Sequence, residues 1–370
     1  MPYFVDKLSM HQEYLERLPL VGSSLFIEED LETGEIISKS PKGLQLEGSY
    51  SSKIIIRCNG NKVSVTGNPS RYNRIDNLFG FDSIEKCVHV FNIILKKHGL
   101  PPFTKCKNVW FGQSSEGKKA RLITDGAVIT AVDWTKNHVV GKGNVKQFLR
   151  GLSSQSMGRG KVGHLYSNHC TVNWGEGSEY KMTSIYDKEN DLERQRKKRL
   201  KNASDEDIKY YDDLIIFCRE NGVAREEHKF KRLFLSKNNL KFYGLFKDSD
   251  FEPYLKSVDD VMSRCEVTGM KQESIADQLL AKEIVKTRQA ANATQCYASM
   301  WMDGDDLHDH LGRSQWFEHK SRLKKIGLDI TSPFDVTRMA PVLIQRKVIE
   351  VSILSAPIWY RQPQVLRLVS

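Results

Sequence analysis

Hydrophobic and polar residues alternate in short runs along the first two thirds of the chain, a pattern that predicts strands with one buried face. Residues 54–58 and 62–66 are rich in β-branched side chains and flank an Asn-Gly pair, which tolerates the positive φ angles of a tight turn. Residues 171–174 and 181–186 flank a glycine-rich turn in the same way. The pattern therefore predicts two hairpins, and residues 223–230 alternate as a further strand.

A second pattern, with apolar residues three and four positions apart, predicts helices. The clearest covers residues 83–98, where Asp82 or Ser83 can cap the first turn and Gly99 follows the last. The other predicted helices cover residues 145–152, 212–221, 274–300 and 307–326. We expect an α+β fold with a curved, mainly antiparallel sheet and helices on one face over residues 1–250, followed by a helical C-terminal region over residues 251–370.

The charge of the chain favours a polyanionic partner. Its 370 residues carry a formal net charge of +10, and the pI is near 9.1. This balance is unusual for an enzyme of small anionic metabolites and is typical of proteins that bind nucleic acid. A generic basic protein is the alternative, because net charge bears on association and not on fold.

The cysteines argue against two kinds of cross-link. There are seven, an odd number, scattered along the sequence without a Cys-x-x-Cys pair. Neither a disulfide framework nor a zinc site fits this pattern, so we expect a reducing cytoplasm. The N-terminus has no long apolar run typical of a signal peptide, and the apolar runs elsewhere are too short to span a bilayer. We therefore expect no membrane association.

Several familiar motifs are missing or weak. The sequence has no Gly-x4-Gly-Lys-[Ser/Thr] run, which excludes a P-loop ATPase or helicase in this chain. His308 and His310 have the spacing of a His-x-His pair but stand in an acidic segment typical of an exposed helix start. His164 and His169 need not face one another outside a helix. The basic residues 314–327 fit an ordinary amphipathic helix better than half of a helix-turn-helix.

The most informative single residue is Tyr186. It ends a strand-like run, and Lys188 follows two residues later, ahead of a strongly basic segment at residues 193–199. A phenol beside cations suits attack on a DNA phosphate, provided that a metal or a cation stabilises the phenolate. The alternative is that Tyr186 packs half-buried at a strand end, as amphipathic aromatics usually do, and that Lys188 is a surface lysine.

Two acidic residues in other predicted strands are candidate partners of this tyrosine. Alternation over residues 127–134 places Asp133 on a largely apolar face with Ile129, where a carboxylate needs a cationic partner. In the strand at residues 223–230, Glu227 shares a face with Arg225. Carboxylates of this kind hold hard divalent cations, but salt bridges with neighbouring basic side chains fit the same pattern.

The polar loop at residues 67–74 and the basic segment contain candidate DNA contacts. The loop has two arginines around an aromatic residue, and it suits a DNA backbone contact and a solvated turn equally well. The basic segment has the composition of a helix that could lie along phosphates. The candidate DNA contacts are Arg71, Arg74, Arg194, Arg196, Lys197 and Lys198.

Four stretches resemble the replication initiators of filamentous bacteriophages, the II/X family, and are most similar to the version found in cholera-type filamentous phages. They are residues 67–80, residues 171–188, residues 224–235, and residues 357–366, which begin Pro-Ile-Trp-Tyr. The stretches follow the family's order over nearly the whole chain. Their order and spacing are more specific than any one motif, and the resemblance implies a gene II-type rolling-circle nickase.

The resemblance also implies roles for individual residues. The nicking tyrosine of the family lies in a Tyr-x-Lys run, which here is Tyr186 with Lys188. An acid at the end of an earlier strand falls on Asp133, although the Arg-Ile pair that precedes it in related sequences is Ala-Val here. Lys188 is implied to neutralise phosphate charge or to lower the pKa of the tyrosine.

The family's Arg-Phe-Glu run corresponds to Arg225, Glu226 and Glu227. The outer two residues match, whereas Glu226 replaces an apolar residue and has no explanation in the sequence. Arg225 is implied to act on phosphate charge together with the lysine. The family lacks the His-hydrophobic-His metal motif of many other rolling-circle nickases, so the resemblance implies that Asp133 and Glu227 coordinate Mg²⁺ or Mn²⁺.

The implied enzyme is a site-specific DNA endonuclease and strand transferase. It would bind the double-stranded phage origin in the bacterial host cytoplasm, nick one strand through a tyrosine phosphodiester intermediate, and rejoin the displaced strand. Residues 1–250 would form the nicking domain, and residues 251–370 would bind DNA or a partner. Host helicase and DNA polymerase are the implied partners, and the oligomeric state stays open.

Two alternatives remain at this point. In the first, the protein is a non-catalytic, origin-binding or regulatory DNA-binding protein whose basic and C-terminal helices carry the function, and Tyr186 belongs to the core. In the second, it is a metal-dependent nuclease in which water attacks the phosphate and Tyr186 only positions the DNA. A covalent protein–DNA adduct separates the nickase from both alternatives.

Overall fold

The computed structural model describes most of the chain as strands, helices and short connections. The described residues are 3–19, 21, 25–41, 43–47, 53–112, 121–157, 162–256, 258–262, 275–334, 349 and 351–364. The strands are β1 (Phe4–Glu13), β2 (Leu25–Glu29), β3 (Ile36–Pro41), β4 (Leu44–Glu47), β5 (Lys53–Asn59), β6 (Lys62–Gly67), β7 (Val109–Gly112), β8 (Arg121–Thr124), β9 (Val128–Val139), β10 (His164–Leu165), β11 (Thr171–Trp174), β12 (Lys181–Asp187), β13 (Val223–Lys231) and β14 (Ser352–Ile353).

The helices connect the strands and follow them towards the C-terminus. They are α1 (Ile84–Lys97), α2 (Val145–Ser153), α3 (Lys188–Arg199), α4 (Asp205–Asn221), α5 (Arg232–Lys237), α6 (Glu252–Leu255), α7 (Ile275–Ala281), α8 (Arg288–Asp303) and α9 (Arg313–Lys324). Short 3-10 turns cover Pro69–Arg71 and Asp248–Phe251. Within the described residues no helix has both the length and the apolar character needed to cross a membrane.

Ten of the described strands form one open antiparallel sheet. Nine lie in the order β10-β11-β12-β13-β9-β1-β6-β5-β4, and β14 pairs with the end of β9. The two long central strands, β9 and β13, pair along nine residues each, which makes the middle of the sheet its most continuous part. Strands β2–β3 and β7–β8 form separate two-stranded sheets. The predicted α+β class with a mainly antiparallel sheet is therefore confirmed.

Local sequence signals account for the elements that frame the sheet. The predicted hairpin joins β5 to β6, with Gly60 at φ 64° in the turn. The Ser83 side chain accepts a hydrogen bond from the Lys86 amide and so caps α1 as predicted. The second predicted hairpin joins β11 to β12, and the charged segment becomes α3, capped by Asp187.

Helices α1 and α2 cover one face of the sheet. Phe91 of α1 belongs to the main hydrophobic core with Trp134 and Phe230, which point down from β9 and β13. Leu149 of α2 packs in a second cluster with Ile185 of β12. Side chains alternate across a strand, so the neighbouring residues of β9, β12 and β13 point to the opposite face. That second face carries the polar and charged residues considered below.

A β-bulge changes one predicted pattern. Alternation predicts that Ile129 and Asp133 share a face, but β1 and β9 shift register between the Ser9–Ala131 and Met10–Ile129 pairs. Because β9 has an extra residue there, the Ile129 side chain points into the hydrophobic core, while the Asp133 side chain points to the opposite, polar face. Asp133 also lies in the middle of β9 and not at a strand end as predicted, because the strand continues to Val139.

The C-terminal part has its own core and then returns to the sheet. Helices α7 to α9 bury Leu279, Trp301 and Leu323 among other apolar residues. The predicted helix over residues 274–300 is two helices, with Glu283 at φ 52° in the break, and residue 274 lies outside the described residues. Of the predicted strand-like run at 348–352, residues 348 and 350 lie outside the described part, and β14 pairs with β9. The boundary at residue 250 stays a prediction.

Candidate active site

Tyr186 lies on the polar face of the sheet, at the penultimate position of β12. Its hydroxyl donates a hydrogen bond of 2.6 Å to Oε1 of Glu227 on the neighbouring strand β13. Burial, followed by the negative charge of Glu227, raises the pKa of Tyr186 well above its ordinary value. The phenol is therefore held protonated, and its proton points at a carboxylate that can accept it.

Glu227 is the centre of a chain of hydrogen-bonding and charged groups. It lies opposite Ser184 of β12 and Thr135 of β9, with only 8% of its surface exposed. Its second oxygen, Oε2, lies 3.4 Å from Nζ of Lys229, which points to the same face two residues further along β13. Tyr186 and Lys229 therefore each contact a different oxygen of one carboxylate. The sequence pattern predicted the face of Glu227, but not this bond to Tyr186.

Asp133 adds a second carboxylate to this face. It lies opposite Lys229 of β13 and Lys7 of β1, so it is the diagonal cross-strand neighbour of Glu227, with Cα atoms about 7 Å apart in such a pair. Burial, and next the charge of Glu227, raise the pKa of Asp133 to about 7 against the opposing effect of the two lysines. The structure thus brings together the two acids that the sequence proposed as metal ligands.

Lys188 is buried and is not a surface lysine. As the first residue of α3 it points inward, where Nζ lies 2.8 Å from Oδ2 of Asp191 and 3.2 Å from Oδ1 of Asn77. Its Nζ is 5.8 Å from the centre of the Tyr186 ring. Burial, then the positive charge of Arg225, lower the pKa of Lys188. Asp191 and Asn77 thus fix the Lys188 ammonium group close to the phenol, although burial makes its charge less favourable than in water.

Arg225 is also fully buried and lies directly opposite Tyr186 in the β12–β13 pairing. Its Nε donates to Oδ1 of Asn137 at 3.0 Å, and its Nη2 donates to the main-chain oxygens of Asn77 and Leu78. Its Nη1 is buried and has no hydrogen-bond partner among the described residues. A buried guanidinium with one unused donor is suited to an acceptor that arrives with a ligand.

Two residues of this site were missed by the sequence analysis. Asp6 lies at a second register shift between β1 and β9, the one between Val5 and Lys7. Its Oδ1 accepts hydrogen bonds from Asn68 at 2.8 Å and from Asn77 at 3.0 Å. Asn77 in turn supports Lys188 and Arg225. Both residues lie in stretches without periodicity, and their proximity to Tyr186 depends on pairing over more than a hundred residues. For Asn77, the resemblance of residues 67–80 to the phage initiator family was the available signal.

A cleft of about 440 Å³ opens over the site. Tyr186, Glu227 and Lys229 contribute to its floor, and the first turns of α3 form one wall. The side chains that line it are predominantly polar. They are Tyr166, Asn168, Cys170, Thr171, Asn173, Met182, Ser184, Tyr186, Asp187, Asn190, Asp191, Arg194, Glu227 and Lys229.

The candidate DNA contacts in α3 differ in how freely their charges face solvent. Arg194 is largely exposed, lines the cleft and lies 3.3 Å from Asp191. Arg196 makes a two-pronged ion pair with Asp212 of α4, at 2.7 and 2.8 Å. Lys197 and Lys198 are exposed on the last turn of the helix. Of these four cations Arg194 lines the cleft, and the other three lie further along the helix.

The two loop arginines are engaged within the protein. Arg74 donates to the carbonyl oxygen of Phe79, to the carboxylate of Asp76 and to the hydroxyl of Tyr360. Arg71 is partly buried, and burial lowers its pKa to about 10. Arg74 thus stabilises the loop against residues 76–79 and Tyr360. The contact of Arg71 and Arg74 with DNA stays a prediction.

Histidines do not gather with acids around this site. Within the described residues no three His, Cys, Asp or Glu side chains are grouped so that they could hold a metal ion. His308 stacks on Trp316, 4.5 Å between ring centres, and His169 faces Arg150 at 3.0 Å. His164 packs edge-on against Tyr166. Each of these histidines has a neighbour other than its sequence partner.

The structure explains Glu226, which the sequence did not. It is fully buried on the helix-covered face, where it accepts hydrogen bonds from Tyr3 at 2.8 Å and from His138 at 2.6 Å, and contacts His228. Burial alone would raise the pKa of Glu226, but the hydrogen bond from His138 and the charge of His228 lower it below its usual range. Glu226 is therefore the acceptor of a buried polar network behind the site.

Comparison with known proteins places this chain in a family. The profile described as Replication-associated protein G2P N-terminal matches residues 5–249, and the profile described as Replication-associated protein G2P C-terminal matches residues 279–366. Replication-associated protein G2P of Escherichia phage If1 is 39% identical over 324 residues, which cover 85% of this chain and 99% of that protein.

A solved structure gives a much weaker match. The rolling circle replication initiator protein from Geobacillus stearothermophilus aligns with 64% of this chain and 78% of its own, at 13% identity and a TM-score of 0.25, too low to bear on the fold. The two G2P profiles and the phage If1 relative together span nearly the whole chain. The chain therefore belongs to the G2P family of replication-associated proteins of filamentous phages.

Proposed function

We propose that this protein is a rolling-circle replication initiator that nicks one strand of the phage origin and later rejoins it. The observation that carries the proposal is the hydrogen bond of 2.6 Å from the Tyr186 hydroxyl to Glu227, at the floor of a polar cleft. Nucleophilic catalysis by a hydroxyl needs an adjacent group that takes its proton, and this pair supplies both parts. Membership of a replication-associated family supports DNA as the substrate.

In the proposed reaction the Tyr186 oxygen attacks a backbone phosphorus atom while its proton passes to Glu227. A phosphorus–oxygen bond to the tyrosine forms, the bond to the 3′ oxygen breaks, and a proton goes to that oxygen to leave a free 3′-hydroxyl. The phosphotyrosyl linkage conserves the energy of the phosphodiester bond, so the reverse attack by a 3′-hydroxyl rejoins the strand.

Cations around the tyrosine oppose the charge that develops on the phosphate. Lys188 and Arg225 are buried on either side of the phenol, and Lys229 lies beyond Glu227. In a buried environment fixed charges of this kind stabilise a transition state more strongly than they would in water. The unused Nη1 donor of Arg225 is a natural partner for a phosphate oxygen. We assign Lys229 to this group, which the sequence did not single out.

Asp133 and Glu227 are the residues that would hold a divalent cation. The donor set fits, because Mg²⁺ is commonly bound through one or two carboxylates with water in its remaining positions. The raised pKa of Asp133, about 7, reflects its burial first and the negative charge of Glu227 second, and a bound cation would offset both effects. When bound, Mg²⁺ or Mn²⁺ would polarise the scissile phosphate.

The remaining parts of the proposal concern binding. Arg194, Lys197 and Lys198 of α3 would contact the DNA backbone beside the cleft. Residues 1–250 would act as the nicking domain and residues 251–370 as a region that binds DNA or a partner. The host helicase and DNA polymerase are expected partners, and the bacterial host cytoplasm is the expected place of action.

The test is a nicking assay on supercoiled plasmid that carries the cognate phage origin, with and without Mg²⁺. Tyr186→Phe removes one oxygen, and Tyr180→Phe, directly before the first residue of the same strand, is the matched control. We expect metal-dependent relaxed product with wild type and Tyr180→Phe, and a loss of at least about a thousandfold with Tyr186→Phe. Nicking that survives in Tyr186→Phe would favour water as the nucleophile, and binding without nicking by wild type would favour a regulatory DNA-binding protein.

A further inference from the structure

We propose that Tyr360, near the end of the described chain, is a positioning residue for the nicking site. It fastens the turn at residues 76–79, and this turn holds Lys188 and Arg225 beside Tyr186. The inference rests on the proposed function, because it assigns to the C-terminal segment a role in the same reaction. It does not make Tyr360 a group that touches DNA.

Tyr360 is anchored to the turn by its hydroxyl. That oxygen accepts hydrogen bonds from the Phe79 amide at 2.9 Å and from Nη2 of Arg74 at 2.6 Å, and it donates to Oδ1 of Asp76 at 2.8 Å. Its ring packs edge-on against Phe79, with 5.0 Å between ring centres. Tyr360 is only 5% exposed, although 281 residues separate it from Phe79 in the sequence.

The turn at residues 76–79 accepts hydrogen bonds from the two buried cations, Arg225 and Lys188. Nη2 of Arg225 donates to the carbonyl oxygens of Asn77 and Leu78, the second at 2.7 Å. Nζ of Lys188 lies 3.2 Å from the side-chain oxygen of Asn77. These contacts use main-chain and side-chain oxygens of the turn itself. A displacement of residues 76–79 would therefore move the positive charges beside Tyr186.

The chain around Tyr360 is held in place from both sides. Strand β14 pairs with β9, and the Leu354 amide donates to the carbonyl oxygen of Asn137 at 3.0 Å. On the other side Arg361 forms ion pairs with Asp207 at 2.6 Å and with Glu206 at 2.7 Å, both on α4. The segment thus connects the centre of the sheet, the turn and α4. Tyr360 is the residue of this segment whose polar group enters the turn.

Tyr210 of α4 provides a matched control. It is buried to the same degree as Tyr360, and its hydroxyl donates to the other oxygen of Asp76 at 3.1 Å. Among the described residues Tyr210 forms no hydrogen bond with residues 77–79, whereas the Tyr360 hydroxyl accepts a hydrogen bond from the Phe79 amide. Substitution of either residue by Phe removes one hydroxyl and keeps the ring. A purely structural effect should therefore be similar in the two variants.

The experiment compares wild type, Tyr360→Phe and Tyr210→Phe in the full chain, by nicking kinetics on origin plasmid and by hydrogen exchange of the backbone amides. We expect Tyr360→Phe to lower kcat about tenfold or more with KM within about twofold of wild type, because misplaced catalytic groups affect the chemical step. For Tyr210→Phe, kcat and KM should each stay within about twofold of wild type. The Leu78 and Phe79 amides should exchange faster only in Tyr360→Phe.

Two results would overturn the inference. One is a wild-type kcat in Tyr360→Phe; the other is an equal loss in both variants that parallels their loss of thermal stability. If wild type itself makes no nick, the proposed function fails, and the exchange data still decide the role of Tyr360. Faster exchange at residues 78 and 79 in Tyr360→Phe alone would support it, and unchanged exchange there would contradict it.

Discussion

The Glu227 carboxylate is shared by two neighbouring side chains. Tyr186 donates to one oxygen at 2.6 Å, Lys229 approaches the other at 3.4 Å, and Asp133 adds negative charge from the next strand. A proton accepted by Glu227 would weaken its pull on Lys229, whose charge would then be free to face a phosphate. Proton transfer and phosphate binding are thereby linked through a single residue.

Asp133 gives this arrangement a measurable dependence on pH. Its pKa of about 7 in the folded protein exceeds the value of about 3.9 for an unfolded Asp, so the folded state holds the proton more tightly. Stability from this group is therefore fullest below about pH 4 and falls as the pH rises towards 7. Asp133→Asn removes this loss of stability at high pH. The free energy of unfolding of the variant should therefore exceed that of wild type by about 2 kcal/mol at pH 8, a value reduced because Asp133 is partly exposed. Near pH 4 the two free energies should be equal.

Urea unfolding at the two pH values measures this difference. Saturating Mg²⁺ at pH 8 should stabilise wild type and not Asp133→Asn, because a ligand that binds only the folded state adds to its stability. A variant less stable than wild type at pH 8 would show that attraction to Lys229 and Lys7, which lie opposite Asp133 on the neighbouring strands, outweighs the cost of burying its charge. That is the alternative the sequence left open.

The residues of the site divide into those the sequence could indicate and those it could not. Alternation placed Arg225 and Glu227 on one face, and this is where they lie. Asp6 and Asn77 escaped because a bulge and a long-range contact position them, and neither leaves a periodic signal. Glu226 was unexplained because its partners, such as His138, are on another strand.

The elements around the site depend on close backbone approaches as well as on periodicity. The hairpins, α1 and α2 follow their sequence signals closely, because turn residues, caps and apolar stripes act locally. The bulge in β9 and the division of α7 from α8 were not predicted, since both depend on what the neighbouring element requires. Gly222 combines a local signal, the end of a helix, with a close backbone approach. It ends α4 with φ at 59° and leads directly into β13.

Gly222→Ala should therefore destabilise the fold strongly. A Cβ at this position would lie 2.0 Å from the carbonyl oxygen of Gly141, in addition to the cost of the left-handed conformation. We expect a loss of at least about 3 kcal/mol in the free energy of unfolding, by urea titration. Gly60→Ala is the control, because φ is 64° there and nothing lies within 4 Å, so it should cost only about 1 kcal/mol. Equal losses would contradict the close approach.

On the scale of the whole molecule, the positive charge is distributed unevenly with respect to the site. Lys197 and Lys198 are exposed on the last turn of α3, the helix whose first turns form one wall of the cleft. Lys96 and Lys97 are exposed at the end of α1, which covers the opposite face of the sheet. The net charge of +10 predicted a polyanionic partner, but only the fold distinguishes the two lysine pairs.

This distinction predicts different effects on DNA binding. Lys197→Ala with Lys198→Ala should weaken binding to origin DNA and reduce the slope of log affinity against log salt by about one to two, because each phosphate contact releases counterions. The double variant of Lys96 and Lys97 should leave the slope unchanged. Fluorescence anisotropy over a series of salt concentrations measures both. Equal effects would mean that the positive charge attracts DNA without a defined contact at α3.

The most direct test of the account is to identify the residue that becomes attached to DNA. Wild-type protein is incubated with Mg²⁺ and an origin oligonucleotide, the covalent adduct is digested with protease and nuclease, and the modified peptide is sequenced by mass spectrometry. The account predicts a nucleotide on Tyr186, within the segment that follows Lys181. Attachment to another tyrosine, or efficient nicking without any adduct, would contradict it.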